Sequence, residues 1–287
     1  MEKDIQKYNF KEGLPQEFEL IDMKQLFASD SKKLTTVHRT EFYQILWFKE
    51  GTPIHFVDFN PINIQPNTII FLNKNMVQRF DANKKFEGEG ILFTDNFFCK
   101  TKMDAIFLKS NILFNDLLSI PTIHITHMIG VFETLFEQIK TELKNTKDDS
   151  QSDILRNYLQ NLLLISQRER QNQDFQEVKK GIELDYTILF KNNLEKTFRE
   201  EKSVSYYTSQ LHITPKKLNQ ATSKVLGKTP KQVIDDRVML EAKRLLAHSS
   251  ESVKEIGFLL GFEESTNFVK YFRKHAKVTP IEFRDLF

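Results

Sequence analysis

Thr222 to Pro230 reads T-S-K-V-L-G-K-T-P, and fifty residues later Phe272 to Pro280 reads F-R-K-H-A-K-V-T-P. The Thr229-Pro230 and Thr279-Pro280 pairs occupy the same place in each copy, as do Leu218 and Phe268, and Ala221 and Tyr271. Upstream the register slips by one, so that Val204 answers Val253 and Leu211 answers Leu260. A short repeat of this kind means one supersecondary unit used twice. Each copy carries the punctuation of a helix-turn-helix.

In the second copy Ser252 is an N-cap with Glu255 three residues on, a capping box. Val253, Ile256 and Leu260 share one helical face. Gly261 follows, a residue that ends helices in the left-handed conformation, and Phe262 is placed to plug the angle between two helices. A new helix is predicted from about Glu264, with Phe268, Tyr271 and Phe272 inward and Ser265, Thr266, Asn267, Lys270, Arg273 and Lys274 outward. In the first copy Ser203 is the cap, and Val204, Tyr207 and Leu211 make the apolar stripe. His212-Ile213 make the turn, and Thr214-Pro215 is a cap followed by proline at the first helical position. Leu218, Ala221 and Leu226 face inward, Gly227 stops the helix, and Lys216, Lys217, Asn219, Gln220, Ser223 and Lys224 face outward. Between the copies Val233, Ile234, Val238, Ala242, Leu245 and Leu246 recur at helical spacing, so Lys231 to His248 is predicted as one long linking helix. The two outward-facing helices are then expected to enter two major-groove segments about one turn of duplex apart, roughly 34 Å.

These residues resemble the AraC/XylS family of bacterial transcription regulators. The resemblance rests on G-F-E-E-S-T-N-F-V-K-Y-F-R-K-H-A-K-V-T-P-I-E-F-R (Gly261 to Arg284), R-V-M-L-E-A-K-R-L-L (Arg237 to Leu246) and S-V-K-E-I (Ser252 to Ile256). It covers about Leu184 to Phe287. The sequence departs from the family pattern at four places. Lys277 stands where glycine is usual, which predicts a different cap there. Gly257 replaces alanine, at a helix-propensity cost of about 1 kcal/mol. Thr208 replaces alanine, and Thr222-Ser223 replace a phenylalanine-lysine pair. The resemblance implies a regulator, activator or repressor, that binds double-stranded promoter DNA as a homodimer with RNA polymerase as a further partner. By position it implies base-facing Lys216, Asn219, Gln220 and Ser223 in the first recognition helix, and Ser265, Thr266, Asn267 and Lys270 in the second, with Arg273 nearer the backbone. Asn and Gln can bond adenine, Lys can bond guanine, and Ser or Thr either kind of base edge.

The remaining chain fits an α+β protein of two domains. The 287 residues carry a net charge of +2, split as a surplus of four cations over 181–287 and a surplus of two anions over 1–180. One cysteine, Cys99, excludes an internal disulfide and a thiolate zinc cluster. Met1 to Lys11 is charged and polar, unlike a signal peptide. No apolar run approaches the ~20 residues of a membrane span, so a cytoplasmic protein without membrane contact is expected. Residues 16–95 change period. Glu41–Phe48, Ile54–Phe59, Thr68–Leu72, Met76–Phe80 and Ile91–Thr94 read as short strands. Gly51-Thr52-Pro53, Asn60-Pro61, Gln65-Pro66-Asn67 and Asn73-Lys74-Asn75 separate them. That is the pattern of a β-sandwich or small barrel, and the resemblance implies a cupin-like sensor.

The boundaries read from the sequence are a barrel over 1–125, a helical dimerisation hairpin over 126–170, a linker over 171–183 and the DNA-binding unit over 184–287. In the hairpin Met128, Val131, Leu135, Ile139 and Leu143 form one stripe, and Ile154, Leu155, Tyr158, Leu159, Leu162 and Leu163 another. The stripe packs on its own barrel or pairs with a second copy, and the resemblance favours the dimer, with Leu155, Leu159 and Leu162 supporting it. His55 has no His-x-His partner, Gln78-Arg79 stands where another ligand would, and His38, His124 and His127 are scattered, so no metal, cofactor or catalysis is expected. Trp47, Phe56, Phe71 and Phe93 are candidates to line a pocket for a small-molecule effector. Two rivals stand beside this reading: a ligand-independent regulator with a scaffold barrel, and a cupin-type enzyme with a DNA-binding tail.

Overall fold

The computed structural model describes residues 5–82, 85–111, 113–114, 120–173 and 181–287. The chain divides into two compact units, one over Gln6–Glu177 and one over Val178–Phe287 together with Met1–Ile5. Seven of the expected linker residues, 174–180, lie outside the described residues.

The first unit contains, in chain order, β1 (Gln6–Tyr8), β2 (Phe18–Asp22), α1 (Met23–Thr35), β3 (His38–Thr40), β4 (Tyr43–Glu50), β5 (Ile54–Val57), β6 (Asn60–Asn63), β7 (Thr68–Leu72), β8 (Val77–Arg79), β9 (Glu87–Phe93), α2 (Asp95–Phe98), α3 (Lys102–Ser110), β10 (Thr122–His124), α4 (Ile129–Lys144) and α5 (Gln151–Asn172). The strands form two five-stranded sheets, ordered β1-β3-β8-β5-β6 and β10-β7-β4-β9-β2. No strand pairing joins the two sheets among the described residues, so the cupin-like barrel expected from the sequence is an open sandwich of two sheets. Asn60-Pro61, read as a separator, begins β6. The turn falls at Asp58-Phe59, both at positive φ (49° and 69°), the geometry of a two-residue hairpin. Pro61 is tolerated because β6 lies at a sheet edge.

Alternation along the strands of the second sheet sorts two cores. Leu46, Phe48, Ile70 and Leu72 face the other sheet and α1, where they meet Val57, Phe80, Phe86 and Met23. Tyr43, Ile45, Trp47, Ile69, Phe71, Ile91 and Phe93 face α2–α5. Three of the four expected pocket-lining aromatics, Trp47, Phe71 and Phe93, therefore lie on the helix side rather than between the sheets. Trp47 packs on Phe136 of α4 with ring centroids 5.2 Å apart. The fourth, Phe56, lies half-buried under the Arg79 guanidinium.

The hairpin stripe belongs to this second core. Leu155, Leu159, Leu162 and Leu163 are wholly buried against their own sheet, with Phe132, Phe136 and Ile139. The expectation that Leu155, Leu159 and Leu162 hold two copies together is thereby overturned. An apolar face already covered has nothing left to bury against a second copy, because area removed from water once cannot be removed again. Glu89 on β9 adds a polar tie, holding Lys49 at 2.5 Å and Lys140 of α4 at 2.8 Å.

The second unit is helical: α6 (Ile182–Thr197), α7 (Val204–Gln210), α8 (Pro215–Leu226), α9 (Pro230–His248), α10 (Val253–Leu259), α11 (Ser265–Ala276) and α12 (Pro280–Arg284). α6 begins inside the stretch expected as linker. One core runs through the whole unit. Phe190 and Leu194 of α6, Tyr207 of α7 and Leu218 of α8 join Ile234, Val238 and Ala242 of α9, Ile256 of α10, and Phe268 and Phe272 of α11.

Candidate nucleic-acid interface

The two copies fold alike, down to single backbone bonds. α7 and α10 are seven residues each, capped by Ser203 and Ser252, and α8 and α11 are twelve each. In each turn one residue sits in the left-handed region, His212 (φ 52°) and Gly261 (φ 74°). The next amide then reaches back five residues: Ile213 N–H donates to Thr208 O at 3.1 Å, and Phe262 N–H to Gly257 O at 3.0 Å. The one-residue slip in the repeat is thus located. Four residues separate α7 from α8 and five separate α10 from α11, the extra one entering after Phe262.

The recognition helices end alike as well. Gly227 and Lys277 both have φ 65°, and each amide bonds the carbonyl four residues back at 3.0 Å. Lysine therefore takes the glycine conformation, and the different cap predicted at Lys277 is not found. Thr229 and Thr279 then open α9 and α12 with capping boxes and proline at the first position. Backbone hydrogen bonding first, then the cap hydroxyls, holds the carboxyls of Glu255 and Glu282 below the usual range.

On α8, Lys216, Asn219, Gln220 and Ser223 are exposed on one face at i, i+3, i+4 and i+7. On α11, Thr266, Asn267, Lys270 and Arg273 are exposed, and Ser265 is half-buried. Among the described residues no hydrogen bond or ion pair engages the side chains of Lys216, Asn219, Gln220, Asn267 or Lys270, while Thr266 bonds Glu264 at 3.2 Å. The matched frame pairs Lys216 with Thr266, Gln220 with Lys270 and Ser223 with Arg273. It also pairs Asn267 with Lys217, an exposed residue that the carry-over by resemblance omits. The signal was present in the repeat itself.

Sequence reasoning also missed the buried polar groups beneath these helices. Glu241 of α9 is buried and meets Arg244 at 3.0 Å, Arg237 at 3.3 Å and Arg199 at 3.5 Å. Arg237 also lies over the Phe198 ring and bonds Glu195. Asp235 of α9 is buried and accepts from the Tyr271 hydroxyl of α11 at 2.7 Å. Burial first, then the Asp235 carboxylate, raises the Tyr271 phenol, so the hydroxyl stays the donor. Both acids fall at helical spacing with the apolar stripe of α9, a pattern visible in the sequence.

In the first unit the histidines are held separately. His55 Nε2 lies 3.0 Å from Gln78 Oε1, His38 Nδ1 2.9 Å from Thr36 O, His124 Nδ1 3.0 Å from Thr68 Oγ1, and His127 Nε2 3.3 Å from Glu169. Among the described residues no three His, Cys, Asp or Glu side chains gather into a group able to hold a metal ion. No described helix is long and apolar enough to cross a membrane.

Two helix-turn-helices on one core define a DNA-binding unit. The family model described as "Helix-turn-helix domain" matches residues 207–285. The chain is 30% identical over 93 residues to the uncharacterized HTH-type transcriptional regulator YisR of Bacillus subtilis, 32% of each chain. It is 23% identical over 257 residues to the HTH-type transcriptional activator RhaS of Enterobacter sp. strain 638, covering 86% of each chain. A solved structure of ToxT from Vibrio cholerae O395 aligns over 94% of this chain and 98% of that one, at 14% identity and a TM-score of 0.44. Residues 207–285 are a helix-turn-helix domain, and the chain is similar to DNA-binding transcription regulators of the AraC type.

Proposed function

We propose that α8 and α11 read the base edges of two adjacent major-groove segments of promoter DNA. Lys216, Asn219, Gln220 and Ser223 act in the first segment, and Ser265, Thr266, Asn267 and Lys270 in the second, with Arg273 on the backbone. Lys217 joins the first set. The observation that carries the reading is the pair of matched polar faces exposed on two helices of one core. Binding is expected to be strongly salt-dependent, because cations on the same helices neutralise phosphates. The test uses a duplex selected by the protein from a random-sequence pool. Asn267→Ala and Lys270→Ala are expected to weaken binding to it by about 1–3 kcal/mol each and to relax base preference at their positions. Lys274→Ala is expected to lower affinity evenly and reduce the salt slope by about one. Unchanged affinity and preference in Asn267→Ala would remove α11 from the base-reading role.

RhaS is named an activator, and activation with RNA polymerase as partner, in the cytoplasm and without catalysis, is part of this reading. So is a homodimer, formed through surfaces outside the buried Leu155–Leu162 stripe. A small-molecule effector in the first unit comes from the resemblance. A second reading, in which that unit is a scaffold without ligand, is supported by the side chains between the sheets. Phe48, Phe80 and Phe86 fill that space, with Phe80 and Phe86 stacked at 5.7 Å. A thermal-shift screen of metabolites on the full chain, followed by operator affinity with each hit, separates the two. A ligand that raises the melting temperature and changes DNA affinity favours the sensor, and stabilisation without any change in DNA affinity favours the scaffold.

A further inference from the structure

The two recognition helices are seated on the linking helix by different means. At the matched positions of α8 stand Ala221 and Val225, both buried and apolar. On α11 the same positions are Tyr271 and His275. The Tyr271 hydroxyl donates to Asp235 Oδ1 at 2.7 Å, and the His275 Nε2 lies 3.8 Å from Asp235 Oδ2. The two rings pack together with centroids 4.6 Å apart. Lys231, one turn before Asp235 on α9, approaches the same carboxylate at 2.8 Å. The Tyr271 ring also meets Phe262, the plug of the second turn, at 5.2 Å.

Apolar packing is non-directional. Phe268 and Phe272 fix which face of α11 meets the core, and the last few degrees of its rotation are left to directional contacts. A short hydrogen bond to a buried carboxylate is directional and strong, and it pins one point of the helix surface. Tyr271 lies one turn from Asn267 and next to Lys270, so a rotation that breaks the bond swings both away from the groove. We propose that Asp235 and Tyr271 are positioning residues that set the rotational seat of the second recognition helix, and through it the base preference of the second DNA segment. The proposal rests on α11 being a base-reading helix.

The test measures full-length protein on the duplex it selects from a random pool, on duplexes altered in one segment only, and on a scrambled duplex. Tyr271→Phe removes the hydroxyl and keeps the ring. It is expected to lose about tenfold of its preference for the selected duplex, the size of one hydrogen bond to a charged group. The loss should be confined to the segment that α11 reads, with affinity for the scrambled duplex and the salt slope unchanged. Asp235→Asn keeps an acceptor for the phenol and is expected to retain more of that preference than Asp235→Ala. A Tyr271→Phe protein with unaltered preference would overturn the proposal. So would a loss shared equally by both segments and tracking a lower melting temperature, since that is a stability effect. Asn267→Ala, measured alongside, separates the two levels of the argument. If it changes preference while Tyr271→Phe does not, the positioning role alone fails. If it changes nothing, the base-reading role of α11 fails and the positioning role with it.

Discussion

Lys277 occupies a backbone conformation that glycine adopts freely and lysine does not. Gly227 shows the same dihedral in the first copy, so the fold demands it. Lys277→Gly is expected to raise the stability of the helical unit by about 1 kcal/mol, read as a higher midpoint in urea denaturation. Gly261 is the opposite case. A Cβ there would collide with the Arg199 carbonyl, and φ is 74°, so Gly261→Ala is expected to destabilise by about 2 kcal/mol or more. His55 sets a pH dependence. Burial pushes its imidazole down to about 4, while the unfolded chain takes up the proton near 6.5. Stability from this group is present above about 6.5 and is lost as pH falls towards 4, by up to about 3 kcal/mol. His38, lowered by burial as well, adds in the same direction. Denaturation midpoints at several pH values in wild type and His55→Gln check this, the variant showing the flatter slope.

At the scale of the element, the α4–α5 hairpin shows what periodicity can and cannot tell. Its stripe of leucines was legible because a helix with one apolar face must cover it. What covers it was not legible, since a sheet of the same chain and a second copy satisfy the same pattern. The sheet supplies Trp47, Ile69 and Phe93 to meet it. Leu159→Asp is accordingly expected to unfold the first unit, at a cost of about 4 kcal/mol or more, rather than to release folded monomers. Circular dichroism and sedimentation of the full chain decide between these. The helix-turn-helices were legible almost residue by residue, because caps, prolines and glycines act locally. α1 was not, because Met23–Thr35 is mostly polar and buries few of its side chains. Its signs were the Asp22 cap and the lysines of the last turn. The short edge strands β1, β6 and β10 passed unread for a similar reason: three or four residues give no alternation to count.

At the scale of the whole molecule, the helical unit is expected to fold alone, because its core is drawn entirely from α6–α11. A fragment over 182–287 should melt cooperatively and bind the selected duplex at low salt. A folded fragment that binds no DNA would assign part of the interface to the first unit. The same shared core has a consequence for promoters. Val238 and Ala242 of α9 belong to the one core that also takes in Leu218 of α8 and Phe268 of α11, so neither recognition helix can be moved without disturbing the other. The protein therefore carries a fixed ruler, and the spelling of its operator must include a spacing as well as letters. Five base pairs inserted between the two segments turn the second to the far side of the duplex, about half of a 10–10.5 base-pair turn away. Every letter would still be present, yet regulation should fail. Promoters under this protein can drift in their bases one at a time, but the gap between the two words is held in register by the protein's own backbone.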